Sequence, residues 1–216
     1  SSRTRIAFDI GPDFRQQMLR GGFSHLDAIV VTHEHSDHVA GLDDIRPYNL
    51  HTRGAIPLYA EDRVVDALQE RFPYAFMPPE RRYPGAPELI VHSLQAPFSD
   101  LQVGDITLRP FRVYHGKLPI LGYRVGKLAY ITDCSYLPAE SKELLQGLDV
   151  LVLNALRHTA HPMHYTLSEA LQLIAELQPR RSYLTHLSHE MGPVASFEGM
   201  LPSNVHVGLD TMTILC

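Results

Sequence analysis

The chain has 216 residues, and 19 Lys plus Arg against 24 Asp plus Glu leave a net charge of −5, which disfavours an extended basic face for nucleic acid. Its longest apolar runs, such as Ala28 to Val31 and Val150 to Leu153, fall far short of the ~18 residues of a membrane span, so no transmembrane helix is expected. Two cysteines, Cys134 and Cys216, form neither a CxxC pair nor a disulfide framework and suit a reducing, cytoplasmic compartment, whereas thirteen histidines are a compositional anomaly.

A chain of this length is expected to fold as one domain over residues 1–216, burying roughly 70% of its unfolded surface. It opens Ser1-Ser2-Arg3 without a methionine and without a signal peptide, and an upstream segment is expected. In chain order, apolar runs bounded by turn residues predict strands at Arg5 to Ile10, Leu26 to Thr32, Ile56 to Tyr59, Leu89 to Ser93, Ile106 to Tyr114, Ile120 to Val125, Leu128 to Thr132, Val150 to Leu153, Ser182 to Thr185 and Val205 to Leu215. Helices are predicted at Asp13 to Arg20 with Asp13 as N-cap, Glu61 to Phe72, Pro138 to Gln146, and Leu167 to Leu177 with Thr166 or Ser168 at its cap. The pattern is mixed α and β, with antiparallel strands in the middle and βα alternation at both ends. The proline-rich stretch from Pro73 to Pro87 cannot continue a helix and reads as a surface excursion, serving as a lid, a pocket edge or an inert loop.

The residues Thr32-His33-Glu34-His35-Ser36-Asp37-His38 directly follow the second predicted strand. Three imidazoles and a carboxylate within six residues are ligands suited to zinc and similar divalent ions, and a strand end followed by a tight turn splays them toward two neighbouring positions. On this HxHxDH motif the sequence resembles the metallo-β-lactamase-fold hydrolase superfamily, and the resemblance spans nearly the whole chain. It implies an α/β (α+β) fold, an αββα sandwich with metals held by loops at one edge. It further implies that His33, His35 and His115 hold one metal and Asp37, His38 and His186 the other, with Asp133 bridging both. The ions would be zinc or manganese, and Asp9, in Phe8-Asp9-Ile10-Gly11, would orient metal ligands from behind. His115, Asp133 and His186 each follow a predicted strand. Cys134 lies next to Asp133 but on the opposite side of an extended segment, so it is read as core.

The segment from Asn154 to Ala170, with His164 just ahead of a helix, looks like the one in which the phosphodiesterase branch, including tRNase Z and PhnP-type cyclic phosphodiesterases, protonates the departing oxygen. Gly11 to Gln16, Gly41 to Asn49 and Thr185 to Gly192 look most like the PhnP-type branch. The resemblance therefore implies hydrolysis of a small cyclic or nucleotide-derived phosphodiester by a metal-bridged hydroxide, with His164 as general acid. Arg46 and Arg157 are candidates for phosphate contact or for surface salt bridges, and His161 for the rim of the site or a solvated loop. His189 matches a ligand of a third, structural zinc whose cysteines would lie upstream, while Cys134 and Cys216 occupy the wrong places to supply it. A nuclease of the same fold is the near alternative, although no Gly-rich basic arm is visible. A thioesterase is disfavoured by His164 and by a chain ending on a strand, with no added helical domain. A noncatalytic binding module is disfavoured by the complete ligand set. The expected partner is a small substrate; no membrane contact is expected, and a homodimer is an assembly the resemblance allows.

Overall fold

A computed structural model describes residues 4–215. Ser1 to Arg3 and Cys216 lie outside the described residues, and with them the readings of the chain start and of Cys216. The chain forms two compact units, divided between Ile106 and Thr107.

The first unit is a parallel sheet in the order β1 (Ile6–Phe8), β2 (Ala28–Val30), β3 (Ile56–Glu61), β4 (Leu89–Leu94). All three residues of β2 are buried, as expected of an interior strand of a parallel sheet. Between the strands run α1 (Phe14–Gly21), α2 (Ser36–Val39), α3 (Arg46–Thr52) and α4 (Asp62–Arg71). Helix α4 buries Val64, Val65 and Leu68 on one face, the spacing of an amphipathic helix. Because the strands are parallel, the residues that follow β1 and β2 emerge at the same sheet edge, which gathers Asp9 and the segment from Thr32 to His38. The short strand β5 (Leu101–Val103) precedes the division between the units.

Two expectations for this unit change. Asp13 occupies the N-cap position of α1, but its side chain makes no capping hydrogen bond. The stretch after the histidine motif, where no helix was expected, is largely helical: α2, a 3₁₀ turn at Leu42–Ile45 and then α3 follow in succession. The segment Pro73 to Pro87 lies largely at the surface, makes two 3₁₀ turns, buries Ala75 and Ala86, and is braced by Arg82, which donates to the Met77 carbonyl at 2.8 Å.

In the second unit the strands run in the order β11 (Val205–Val207), β10 (Arg181–Thr185), β9 (Val150–Asn154), β8 (Leu128–Ile131), β7 (Leu118–Val125), β6 (Ile106–His115). Strands β6 to β8 pair antiparallel, and β8 to β11 pair parallel. The hairpin between β6 and β7 closes through Gly116-Lys117. Gly116 takes a left-handed φ of 61°, which favours glycine, and a Cβ there would have to displace the Met163 sulfur, 2.4 Å away.

Helix α5 covers Ala139–Leu144, and α6 covers Leu167–Leu177 with Ala170, Leu173, Ile174 and Leu177 buried. Thr166 accepts from the Glu169 amide while the Glu169 side chain accepts from the Thr166 amide, a capping box worth about 1 kcal/mol that fixes where α6 begins. The final strand is shorter than expected, covering Val205–Val207 and not Val205 to Leu215. Gly208 donates to the Leu184 carbonyl, Met212 to the Leu209 carbonyl, and Thr211 has a φ of 68°, so turn chemistry interrupts the apolar alternation.

Cys134 is fully buried in the core of this unit, and burial pushes its thiol up to about 12. At pH 8 the thiolate fraction is then on the order of 10⁻⁴. Alkylation followed by peptide mass analysis should leave Cys134 unmodified in folded protein and modify it in denatured protein; labelling at equal rates would contradict this packing.

Candidate metal centre

In the first unit, Asp9 follows β1 with a left-handed φ of 60°, a conformation that costs a non-glycine residue about 1–3 kcal/mol and persists only where its surroundings enforce it. Its carboxylate accepts from the Thr32 amide at 2.7 Å and from the Thr32 hydroxyl at 2.8 Å, and it meets His38 Nδ1 at 2.7 Å. These contacts determine two tautomers. His38 donates from Nδ1 and presents Nε2 as its lone-pair nitrogen. The Thr32 hydroxyl, its proton spent on Asp9, accepts from His33 Nδ1 at 3.0 Å, so His33 likewise presents Nε2.

His33 Nε2 and His35 Nδ1 approach to 3.0 Å, and His38 Nε2 and Asp37 Oδ2 to 3.3 Å. Tetrahedral ligands about 2.0 Å from zinc stand ~3.3 Å apart, so each pair converges as a shared cation requires. Two further contacts hold the loop. The Ile10 amide donates to the His38 carbonyl at 2.7 Å, and Gly11 lies so close to Asp37 that a Cβ would come within 2.3 Å of its carbonyl oxygen. Glu34, between the two leading histidines, pairs with Arg63, and its own carbonyl accepts from Arg71 at 2.9 Å. Burial opposes ionisation of Glu34, yet the hydrogen bond and charge of Arg63 hold its carboxyl below the usual range.

In the second unit, β8, β9 and β10 are parallel and in register, Ile131 with Leu153 and Asn154 with Thr185. Asp133 and His186 therefore leave the sheet at one edge, each with a left-handed backbone, φ 54° and 53°. Asp133 Oδ1 lies 3.0 Å from His186 Nδ1 and accepts from the Thr132 hydroxyl at 2.8 Å. His115, at the end of β6, is 4% exposed and donates from Nδ1 to the Met163 carbonyl at 2.7 Å, which leaves Nε2 as its lone-pair nitrogen. The ring of His164 lies 4.5 Å from that of His115 and stacks on His186 at 5.1 Å. Its Nδ1 is buried with no hydrogen-bond partner among the described residues. Burial first, and the neighbouring histidines next, push its imidazole down to about 4 against the opposing pull of Asp133.

Other sequence candidates are placed as follows. His161 is partly buried, accepts from the Met163 amide at 3.2 Å, and lies 5.0 Å from the His164 ring. Arg157 pairs with Glu190 at 3.0 Å and donates to the Thr159 and Ala160 carbonyls, so its guanidinium is taken up in bracing its own loop. Arg46 is exposed near Tyr74, whose hydroxyl is raised to about 12 by burial and by Asp43. His189 is exposed and opens a 3₁₀ turn. Of the histidines outside the motifs, His92 stacks on Tyr59 at 4.5 Å. Sequence reasoning passed over Thr32, which relays Asp9 to His33, and Asn154, which binds the backbone of Cys134. Neither has a spacing signal, because their partners are set by the tertiary fold.

The profile of the beta-lactamase superfamily domain matches residues 4–187. The chain belongs to the beta-lactamase superfamily. It has the metallo-β-lactamase fold. Within the superfamily, a solved diphosphatase of the PhnP family is 36% identical, with a TM-score of 0.88 over 98% of this chain and 80% of that one. An octanoyltransferase of Porphyromonas gingivalis (strain ATCC BAA-308 / W83) is 41% identical over 95% of this chain and 41% of its own length. The exodeoxyribonuclease YycJ of Bacillus anthracis is 28% identical over 66% of this chain and 48% of its own. The chain thus spans less than half the length of these two curated relatives. Among the described residues, no helix is long and apolar enough to cross a membrane.

Proposed function

We propose that this chain hydrolyses small phosphodiesters with two divalent metal ions. His33, His35, His115 and Asp133 would hold one ion, and Asp37, His38, Asp133 and His186 the other, with Asp133 shared. The donor chemistry supports this: five imidazoles, three of them with a fixed lone-pair nitrogen, and two carboxylates suit zinc or manganese. Two such ions, when bound, supply ionised water at neutral pH and offset charge on the phosphoryl oxygens.

The observation that carries the phosphodiesterase reading is His164. It is an imidazole outside the donor set, yet it lies against the rings of His115 and His186 with a buried, unpartnered nitrogen. An imidazole there can donate a proton to a departing alkoxide. Burial disfavours the imidazolium in the protein alone, and the negative charge of a bound phosphoryl group would favour its protonation from solvent. The relationship to the PhnP-family diphosphatase supports the same chemistry. His189, exposed at the start of a 3₁₀ turn, remains our candidate ligand for a third, structural zinc.

The octanoyltransferase relative raises acyl transfer as a second reading. Transfer through a protein thiol requires an accessible thiolate, and Cys134 is buried with its thiol raised to about 12. That thiol is therefore unsuited to carrying an acyl group in this chain.

The test is a kinetic panel on metal-loaded protein: bis(p-nitrophenyl) phosphate, 2′,3′-cyclic nucleotides, a ribose 1,2-cyclic phosphate, a nucleoside diphosphate and an octanoyl thioester. Diesters should turn over and the thioester should not; the reverse order would overturn the reading. Chelation should abolish the activity, and zinc or manganese should restore it with about two ions per chain by elemental analysis. Full activity in metal-stripped protein would exclude the mechanism.

A further inference from the structure

Asn154 ends β9 and is fully buried. Its side-chain oxygen accepts from the Cys134 amide at 2.8 Å, and its side-chain nitrogen donates to the Cys134 carbonyl at 3.0 Å. One carboxamide thus satisfies both backbone groups of one residue, as a neighbouring strand would. It does so beyond the end of β8, where Asp133 has just turned through its left-handed conformation. The Cys134 carbonyl also accepts from the Tyr165 amide at 2.7 Å, and Tyr165 directly follows His164. Cys134 is therefore a junction with Asp133 on one side and the His164 segment on the other, and Asn154 is the side chain that holds the junction to the sheet.

We propose that Asn154 is a positioning residue for the metal centre, aiming the Asp133 carboxylate and the His164 imidazole through the backbone of Cys134. The inference rests on the phosphodiesterase reading for the roles of those two residues. A carboxylate shared by two ions tolerates little rotation. Loss of the clamp frees the peptide that follows it and leaves the Cys134 amide buried without its acceptor.

The experiment compares Asn154→Ala and Asn154→Asp with the unsubstituted protein, using variants whose far-UV circular dichroism matches it. Zinc affinity is measured by competition with a chromophoric chelator, and kcat and KM on a 2′,3′-cyclic nucleotide. Removing a group that orients a metal ligand typically costs 10- to 100-fold in affinity or activity, and that loss is expected for the alanine variant. It should appear in metal affinity and kcat more than in KM. The aspartate variant retains the acceptor for the Cys134 amide but not the donor to its carbonyl, so it should lose less. A folded alanine variant with unchanged zinc affinity and kcat would overturn the proposal.

If neither variant folds, the unsubstituted ¹⁵N-labelled protein decides. Zinc addition should shift the Cys134 amide and the Asn154 carboxamide and slow their hydrogen exchange, and unchanged signals would overturn the proposal. An unsubstituted protein that binds no transition metal would overturn both readings. Unsubstituted and variant proteins that bind metal and hydrolyse diesters equally well would overturn this inference alone.

Discussion

Asp133→Ala should abolish phosphodiester hydrolysis and weaken metal retention at both positions. In the proposed assignment this carboxylate is the one donor common to the two ions, so its loss removes a ligand from each and a negative charge from between them. The transition-state stabilisation such a centre provides amounts to several kcal/mol, and at about 1.4 kcal/mol per decade the expected fall is roughly 10³-fold or more. Folding should suffer less than turnover: Asn154 holds the following peptide, so alanine would keep the left-handed φ of 54° at a cost of about 1–3 kcal/mol. Elemental analysis of the purified variant, beside turnover of a cyclic nucleotide, checks the prediction. A variant with two ions per chain and native turnover would remove Asp133 from the centre.

For His164→Ala the expected effect depends on the leaving group. Metal content should stay at the level of the unsubstituted protein, because this ring is not assigned to either ion. Turnover of substrates that expel a sugar alkoxide should fall by about 10²- to 10⁴-fold, the usual contribution of a positioned general acid. Hydrolysis of bis(p-nitrophenyl) phosphate should fall by less than about tenfold, because p-nitrophenolate departs without a proton. The contrast between the two substrates is the measurement that matters. Equal losses on both, with metals intact, would make His164 a binding residue and withdraw its acid role. The buried, unpartnered Nδ1 also predicts that Gln at this position will not restore the lost turnover, since an amide donates hydrogen bonds but not protons at neutral pH.

Much of this was legible along the chain, for reasons that are local. The HxHxDH run concentrates metal-type donors within one turn after a strand, and the strands themselves are short apolar runs whose existence depends on few neighbours. Helix α6 was predicted with its observed bounds because its cap, its amphipathic spacing and its Thr166–Glu169 reciprocity all lie within twelve residues. Helices α2 and α3 went unseen because a metal-donor loop and Pro47 mask their apolar spacing, and only packing of Val39, Tyr48 and Asn49 makes them helical. The tail after Val207 read as strand because its apolar alternation continues, while Gly208 and the left-handed Thr211 turn the backbone away.

Sequence by itself thus determined which side chains carry metal-type donors, in what order, and the strand ends that precede them. Tertiary structure alone decided the rest. Asp9 sets the tautomers of His33 and His38 through contacts 23 and 29 residues distant, and Asn154 grips a peptide 20 residues upstream. Arg157 is drawn to Glu190, 33 residues away, and so into bracing its loop. A tautomer, a left-handed φ and a hydrogen-bonded peptide each depend on an atom that the chain brings near only after its parallel strands have aligned, and no spacing along the sequence encodes that distance.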